Sequence, residues 1–515
     1  MNSSVKQRQT YNNRVKNTFR NIIWGLLGGF VSVFLPFITR AIILYLLGAH
    51  YLGVDTLFVS VLQFLNLTEL GLGTAITYTM YKPIAEKDIH KICNILNYLK
   101  KMYRSIGIVM LFVGTILIPA VPFLMHGDAP SEINIYILYY LYLINAVISY
   151  FFAGYRESLL TAFQRKDITA KWSILAGVLV QLLQIIALLF TRNFYIYAFV
   201  PILGTVLINV LNIVVTERMY PKISAQGMIS DEVRAEIRKK LSGLIGTRLS
   251  FVVHHSSDAI VASIFLGLTI TAQFGIYYLF MNSVCGLITT IFAAMTASIG
   301  DKLVRDSLEE NYKLFQRISF ANNWIVGWCA ITFFCLIDPV ISVIYGKEMC
   351  LGIGFSALMA LYFYIYQIQK TILTFKDASG IWYADRYRPY VFMITNLVSN
   401  LILVNFIGIY GIVISTILAF IISLPWINWT LYNQLFHKSS FGNLILILKN
   451  SILTIMLGMI TFLLCKPYGN SIAGIIIRSI ICILIPNVIM ISIYHKSPYL
   501  KYWFNFVFNK MIKFI

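Results

Sequence analysis

Long runs of apolar residues, separated by short polar segments, recur along the whole chain. Most runs are about 20 residues long, the length that an α-helix needs to cross a hydrocarbon layer of ~30 Å. Hydropathy therefore predicts an all-α polytopic membrane protein with about 14 transmembrane helices. The predicted spans are residues 20–47, 54–80, 104–124, 134–155, 170–190, 195–216, 242–266, 271–299, 319–344, 352–374, 389–406, 410–431, 446–465 and 473–494.

Composition and charge distribution support this prediction. The chain has 515 residues, of which 58% are hydrophobic and only 12% charged, whereas soluble domains carry about 25% charged residues. Of the 41 lysines and arginines, 35 fall in the segments on one side of the predicted spans and three in the opposite loops. This asymmetry predicts that both termini lie in the cytoplasm. The net charge of +20 then faces anionic lipid, so nucleic acid is not needed to explain it.

Two further segments show apolar residues at helical spacing beside lysines. They are residues 83–101 and the tail after Tyr494. Both are predicted to be amphipathic helices, either on the membrane surface or packed against the protein.

The chain contains an internal sequence repeat. The segment RAIILYLLGAHYLGVDTLF (40–58) is similar to DAIVASIFLGLTITAQFGIYYLF (258–280), because a charged residue is followed in both by Ala-Ile, an apolar run and Leu-Gly. Transporters are commonly built from repeated halves with a site at the repeat interface. The predicted organisation is a cytoplasmic segment 1–19, an N-lobe 20–216, a cytoplasmic linker 217–241, a C-lobe 242–431, an added helix pair 432–494 and a cytoplasmic tail 495–515.

The segments PFITRAIILYLLGAHYLG, LTELGLGTAI and the pattern D-x-I-V-x-x-x-x-L-G…F-G-I-Y resemble Wzx-type oligosaccharide flippases. These form part of the polysaccharide transporter branch of the multidrug/oligosaccharidyl-lipid/polysaccharide flippase superfamily. The resemblance implies two six-helix lobes arranged in a V around a central cavity, with two extra C-terminal helices. It also implies a non-enzymatic transporter of the bacterial plasma membrane that needs no cofactor.

The resemblance further implies a cargo and partners. The cargo is a polyprenyl-diphosphate-linked oligosaccharide of the undecaprenyl type, moved from the inner to the outer leaflet for surface polysaccharide biosynthesis by alternating access. A proton or sodium gradient is the expected coupling ion, and a polysaccharide polymerase is a candidate partner. The alternatives are a drug or lipid exporter of the same fold and, with less support, a membrane polymerase or acyltransferase, which needs a large external catalytic loop or an intramembrane histidine site.

Arg40 is the first candidate site residue, because an arginine inside an apolar span is costly unless a cavity or partner uses it. Pro36 removes a backbone hydrogen bond one turn earlier and kinks the span. A guanidinium matches phosphate geometry through two parallel hydrogen bonds, so Arg40 is predicted to line a cavity for an anionic cargo. The alternative is a structural ion pair or hydrogen bonds to carbonyl groups of a neighbouring helix.

The seventh span supplies three more candidates. Arg248, His255 and Asp258 fall within an arc of ~80°, so one face of this helix is polar and is predicted to face a cavity or a partner helix. Arg248 could instead extend to the inner interface. His255 or Asp258 could carry a coupling proton, since histidine titrates near neutral pH. His254 lies off this arc and is predicted to be a packing residue.

Glu69 is the one acidic residue well inside the second span, and its alternative role is a hydrogen bond between packed helices. We hypothesise that Arg40 and Asp258 attract each other when the cavity is closed outside, and Glu69 and Arg248 when it is closed inside.

Three other expectations concern Asp55, Arg478 and the cysteines. Asp55 is predicted to cap the second helix, and Arg478 to extend to the outer surface. The seven cysteines show no ligand spacing, so no disulfide framework and no metal site is predicted.

Overall fold

The computed structural model describes residues 35–66, 72–126 and 129–512, and all regular secondary structure in these residues is helical. The helices are α1 Leu35–Leu47, α2 Ala49–Leu65, α3 Leu72–Glu86, α4 Ile89–Ile116, α5 Val121–Leu124, α6 Ile135–Phe151, α7 Gly154–Ala162, α8 Lys166–Thr191, α9 Phe194–Met219, α10 Asp231–Leu266, α11 Leu268–Arg305, α12 Leu308–Ile344, α13 Ile353–Ile368, α14 Lys370–Ser379, α15 Arg388–Ile407, α16 Ile409–Leu431, α17 Phe441–Cys465, α18 Ile472–Tyr494 and α19 Pro498–Ile512.

The predicted all-α polytopic membrane fold is confirmed. Within the described residues, nine helices are long and apolar enough to cross a membrane, or eleven if two bent helix pairs each count as one span. The helices α1 and α2 are shorter apolar helices at the places of the first two predicted spans. The described residues of each of the 14 predicted spans are mainly helical, with short breaks such as the turn at residues 152–153.

The helices form two compact units, Met1–Ala272 and Gln273–Ile515. In the first unit α8 packs against α9, α6 against α9, and α10 against α2. In the second unit α15 packs against α16, and α12 contacts α13, α17 and α18. The α10 helix, which begins within the predicted linker 217–241 and contains the predicted seventh span, thus groups with the first unit by its contacts. The lobe boundaries drawn from the sequence repeat remain a prediction.

The two halves of the sequence repeat share a local backbone conformation. Gly48 separates α1 from α2 with φ 98° and ψ 175°, and Gly267 separates α10 from α11 with φ 84° and ψ 174°. This combination is essentially restricted to glycine, because a Cβ atom clashes there with the backbone. The Leu-Gly step of the repeat is therefore a helix break at both positions.

The two amphipathic segments pack against protein. Residues 89–101 form the first part of α4, in which Ile92, Leu96 and Leu99 are buried. In α19, Trp503 donates its indole N–H to the carbonyl oxygen of Arg317 at 3.0 Å. Both observations favour the packed alternative.

Prolines inside two helices of the second unit free carbonyl groups that side chains then satisfy. Pro339 and Pro486 lack the N–H that would bond the carbonyl group four residues earlier. The freed carbonyl of Cys335 accepts from Arg478 Nη1 at 3.4 Å, and that of Cys482 accepts from the Trp328 indole at 2.9 Å.

Arg478 does not extend to the surface as predicted. Its side chain is buried, and it also donates to the carbonyl oxygen of Tyr468. The hydrogen bonds to two carbonyl groups hold it inside the second unit.

Candidate substrate cavity

A polar cavity of about 490 Å³ lies inside the first unit, between α1, α2, α6, α8 and α9. Its volume falls in the range of ligand pockets in proteins, about 300–1,000 Å³. The wall combines apolar side chains with one arginine, one aspartate and several amides. The polar lining residues are Thr39, Arg40, Asp55, Gln63, Asn66, Tyr142, Asn145, Gln181, Gln184 and Tyr197.

The α1 helix contributes Pro36, Thr39 and Arg40 to the wall. These positions lie within little more than one turn, so all three reach the same side of the helix. Thr39 is buried and donates to the carbonyl oxygen of Leu35 at 3.2 Å and to the side-chain oxygen of Gln181 on α8. Arg40 is half-buried, with part of its surface exposed at the cavity. Arg40 thus lies at the wall of a cavity, and its role there and its contact with cargo remain predictions.

Asp55 is the acidic residue of the cavity, and its predicted capping role is wrong. The α2 helix begins after Gly48, so Asp55 lies two turns inside the helix, where no free N–H needs a cap. Its carboxylate accepts a hydrogen bond from the Tyr142 hydroxyl at 2.6 Å and from the Tyr197 hydroxyl at 3.4 Å. The two phenols, from α6 and α9, solvate the buried charge.

Among the described residues, the cavity wall has one positive and one negative side chain, Arg40 and Asp55. The Arg40 guanidinium is within electrostatic range of both phenols that bond Asp55. A guanidinium has five N–H donors in a planar fork, so protein partners and a ligand can share it. The arrangement holds an arginine in a low-dielectric environment while keeping a water-accessible volume beside it.

A proline shapes the α9 wall of the cavity. Pro201 has no N–H for the carbonyl of Tyr197, and the Gln184 amide donates to that carbonyl at 3.1 Å. Nearby, Thr205 donates to the Asn145 side-chain oxygen at 2.9 Å. Sequence analysis did not single out these amides. The available signal was the presence of Gln and Asn inside otherwise apolar spans, where polar side chains usually mark a packed or functional surface.

The remaining predicted site residues lie elsewhere in the first unit or outside the described residues. On α10, Asp258 is buried, His255 is half-buried and Arg248 is exposed. The cavity described above has no lining residue from α10. Glu69 lies outside the described residues. The predicted Arg40–Asp258 and Glu69–Arg248 pairs therefore remain a hypothesis.

His254 and His255 have neighbouring rings, with centroids 4.7 Å apart. His254 is buried, as expected for a packing residue, and the His255 ring also contacts Phe251 at 4.3 Å.

No family model and no curated protein matches the sequence. Solved structures do match. The lipid II flippase MurJ in an inward closed conformation aligns with 94% of this chain and 99% of its own, with a TM-score of 0.67 and 14% identity.

Two MATE transporter structures match as well, the first of them described as a multidrug resistance transporter. An inward-facing MATE family transporter of the MOP superfamily covers 77% of this chain and 94% of its own, with a TM-score of 0.56 and 17% identity. A mutant of the Vibrio cholerae MATE transporter VcmN aligns with 84% of this chain and 99% of its own, with a TM-score of 0.57 and 14% identity.

These similarities establish the fold. The chain shares its fold with the lipid II flippase MurJ and with two MATE transporters, one of which is described as a member of the MOP superfamily. At 14–17% identity these structures show the fold alone, and membership of the Wzx branch and the identity of the cargo are separate questions.

Proposed function

We propose that this chain is a flippase that moves a polyprenyl-diphosphate-linked oligosaccharide from the inner to the outer leaflet by alternating access. The observation that carries the proposal is Arg40, a half-buried arginine at the wall of a polar cavity within a transporter fold. A charge inside an apolar span is costly, and an anionic cargo gives it a use.

The chemistry of the cavity fits a diphosphate group. Guanidinium groups bind phosphate oxygens through two parallel charge-assisted hydrogen bonds, which are about twice as strong as neutral ones. The amides of Gln63, Asn66, Asn145 and Gln181 add donors and acceptors for phosphate oxygens or for sugar hydroxyls. A volume of about 490 Å³ suits the diphosphate and the sugar next to it, while the remaining glycan and the polyprenyl chain extend beyond the cavity.

Asp55 sets a condition on this proposal, because a carboxylate repels an anion. Two phenolic hydroxyl groups donate to the Asp55 carboxylate and offset part of its charge, but Asp55 still lines the same cavity as Arg40. Replacing the carboxylate by an amide should therefore preserve or improve the binding of a diphosphate.

A drug or lipid exporter of the same fold is the second candidate, and Asp55 is the observation that favours it. A buried carboxylate beside the aromatic rings of Tyr142 and Tyr197 is a suitable environment for an organic cation. In that case Asp55, rather than Arg40, carries the binding energy.

Binding measurements on the purified protein separate the two candidates. The ligands are a short-chain polyprenyl-diphosphate disaccharide and a fluorescent organic cation. We expect Arg40→Ala to lower the affinity for the diphosphate ligand about 10- to 100-fold, because one charge-assisted hydrogen bond contributes ~1.5–3 kcal/mol. Arg40→Lys should restore part of the affinity, since it keeps the charge but not the planar fork.

The matched control is Arg218→Ala, which removes an exposed arginine from the end of α9. Asp55→Asn should leave diphosphate binding intact. If Asp55→Asn abolishes cation binding while Arg40→Ala changes the affinity for neither ligand, the exporter alternative replaces the flippase proposal.

Transport itself is tested in proteoliposomes and in cells. Under the proposal the chain works in the bacterial plasma membrane, coupled to a proton or sodium gradient and supplying a polysaccharide polymerase. Wild-type protein should expose the labelled diphosphate lipid to an enzyme added outside the vesicles, and Arg40→Ala should not. Loss of polymer export by Arg40→Ala at normal protein abundance supports the proposal, whereas normal export contradicts it.

A further inference from the structure

Three cysteine side chains of the second unit converge in its apolar core. Cys335 lies on α12, Cys465 is the last residue of α17, and Cys482 lies on α18. Their Sγ atoms are all within 4.8 Å of one another, and each residue is at most 1% exposed. The sequence spacing of these residues carries no ligand signature, so only the packing of the three helices brings them together.

We propose that Cys335, Cys465 and Cys482 form a three-coordinate site for a soft, thiophilic monovalent metal ion, with Cu(I) as the matching chemistry. Sulfur ligands select soft ions such as Cu(I). Three sulfurs at a metal–sulfur distance of ~2.3 Å in a plane are ~4 Å apart, which these thiols reach with small side-chain rotations.

The number of ligands separates Cu(I) from zinc. Structural zinc sites are almost always four-coordinate. Among the described residues, the group offers three metal-ligand atoms, and all three are cysteine sulfurs. A buried apolar core offers no water for a fourth position, so an ion that accepts three sulfur ligands fits better.

Arg478 provides the charge that such a complex needs. Its guanidinium bonds the carbonyl oxygens of Tyr468 and Cys335, and it is within electrostatic range of the Cys465 and Cys482 thiols. Its own carbonyl oxygen contacts Cys465 Sγ at 4.0 Å. No carboxylate among the described residues forms a salt bridge with Arg478.

The charges balance when Cu⁺ binds two thiolates and one neutral thiol. Two thiol protons leave to solvent, the copper stays Cu(I), and the complex carries a net charge of −1. Arg478⁺ then neutralises it inside the core. The bound ion would join α12 to α17 and α18, which are the added helix pair of the sequence analysis.

Copper retention by the full-length, detergent-solubilised protein tests the site. The protein is loaded anaerobically with Cu(I) under ascorbate, exposed to a Cu(I) chelator and desalted, and its metal content is measured by mass spectrometry. We expect one retained ion per chain in the wild type, and loss of that ion in Cys335→Ser, Cys465→Ser and Cys482→Ser. Cys285→Ser and Cys329→Ser are matched controls, because Cys285 is buried and Cys329 lies on α12, yet neither belongs to the group.

Two measurements keep the test decisive if a serine variant folds poorly. Copper-edge X-ray absorption of the wild type should show three sulfur neighbours, and Arg478→Gln should weaken Cu(I) binding ~10-fold more than Arg478→Lys. Absence of retained copper in the wild type, equal loss in the control variants, or two sulfur neighbours would overturn the proposal. Equal retention of Zn²⁺ after chelation would overturn the assignment to a monovalent ion.

Discussion

Asp385 connects two buried cations in the second unit, and its removal should destabilise the protein strongly. Its carboxylate accepts from Lys376 Nζ on α14 at 2.9 Å and from Arg388 Nε on α15 at 2.8 and 2.9 Å. The Asp385 side chain is 1% exposed, that of Lys376 6% and that of Arg388 12%. Arg388 also donates to Ser423 on α16 at 2.8 Å, so the network joins three helices.

Asp385→Asn keeps the shape of the side chain and removes its charge. Breaking a buried ion pair costs about 3–5 kcal/mol, because the partner charge stays buried without compensation. Here two cations lose the same partner, so we expect a loss near the upper end of that range. Asp377→Asn is the matched control, since Asp377 contacts the same Lys376 Nζ at 3.8 Å but is 53% exposed. Because its carboxylate is exposed to solvent, we expect this longer pair to contribute only about 0–1 kcal/mol.

A thiol-reactive dye measures the apparent Tm, because five of the seven cysteines are buried in the folded chain and become reactive when it unfolds. All variants must be heated at one scan rate, since membrane protein unfolding is often irreversible. Asp385→Asn should melt well below the wild type and Asp377→Asn close to it. Adding Lys376→Met to Asp385→Asn should recover part of the loss, because one of the two uncompensated charges is gone. Equal Tm values for the two single variants, or a further loss in the double variant, would refute this reasoning.

Three other predictions follow from the first unit. Gly53→Ala should lower stability by about 1–3 kcal/mol, since the new Cβ would lie 2.2 Å from the Leu268 carbonyl oxygen. Gly177→Ala is the control, because its Cβ would have no atom within 4 Å, and it should be neutral or stabilising. Equal Tm values for the two variants would contradict this prediction. Cysteines introduced at Ser131 and Gln226, both exposed, should be labelled from opposite sides of intact cells; outside labelling of both would disprove the predicted topology. Arg40→Asp and Asp258→Arg should each block the conformational cycle and the double variant should restore alternating cysteine accessibility; a double variant as inactive as either single one would end the gating hypothesis.

The sequence alone determined the features that depend on local composition. Membrane spans are recognisable because each must be apolar over its own length, and the described residues of each of the 14 predicted spans are mainly helical. The helix breaks at Gly48 and Gly267 were readable as a repeated Leu-Gly step, because only glycine tolerates their backbone conformation. Arg40 was identifiable for a related reason: a charge in an apolar run needs an explanation wherever the helix lies.

Tertiary structure decided which spans are neighbours and therefore what each polar residue does. Asp55 was read as a cap from its place near a span end, yet it lies inside α2 and accepts bonds from tyrosines of α6 and α9. Arg478 was expected at the surface, but a carbonyl freed by Pro339 on α12 helps to hold it in the core.

The amide side chains that line the cavity and the three converging cysteines could not be predicted from the sequence, for the same reason. They come from helices that are far apart in sequence, and every span has a similar apolar composition, so spacing along the chain carries no information about lateral contacts. In a membrane the apolar surface of a helix does not select its partner, because lipid is as apolar as another helix. Close packing and the need to satisfy buried polar groups make that selection, and both exist only once the helices are assembled.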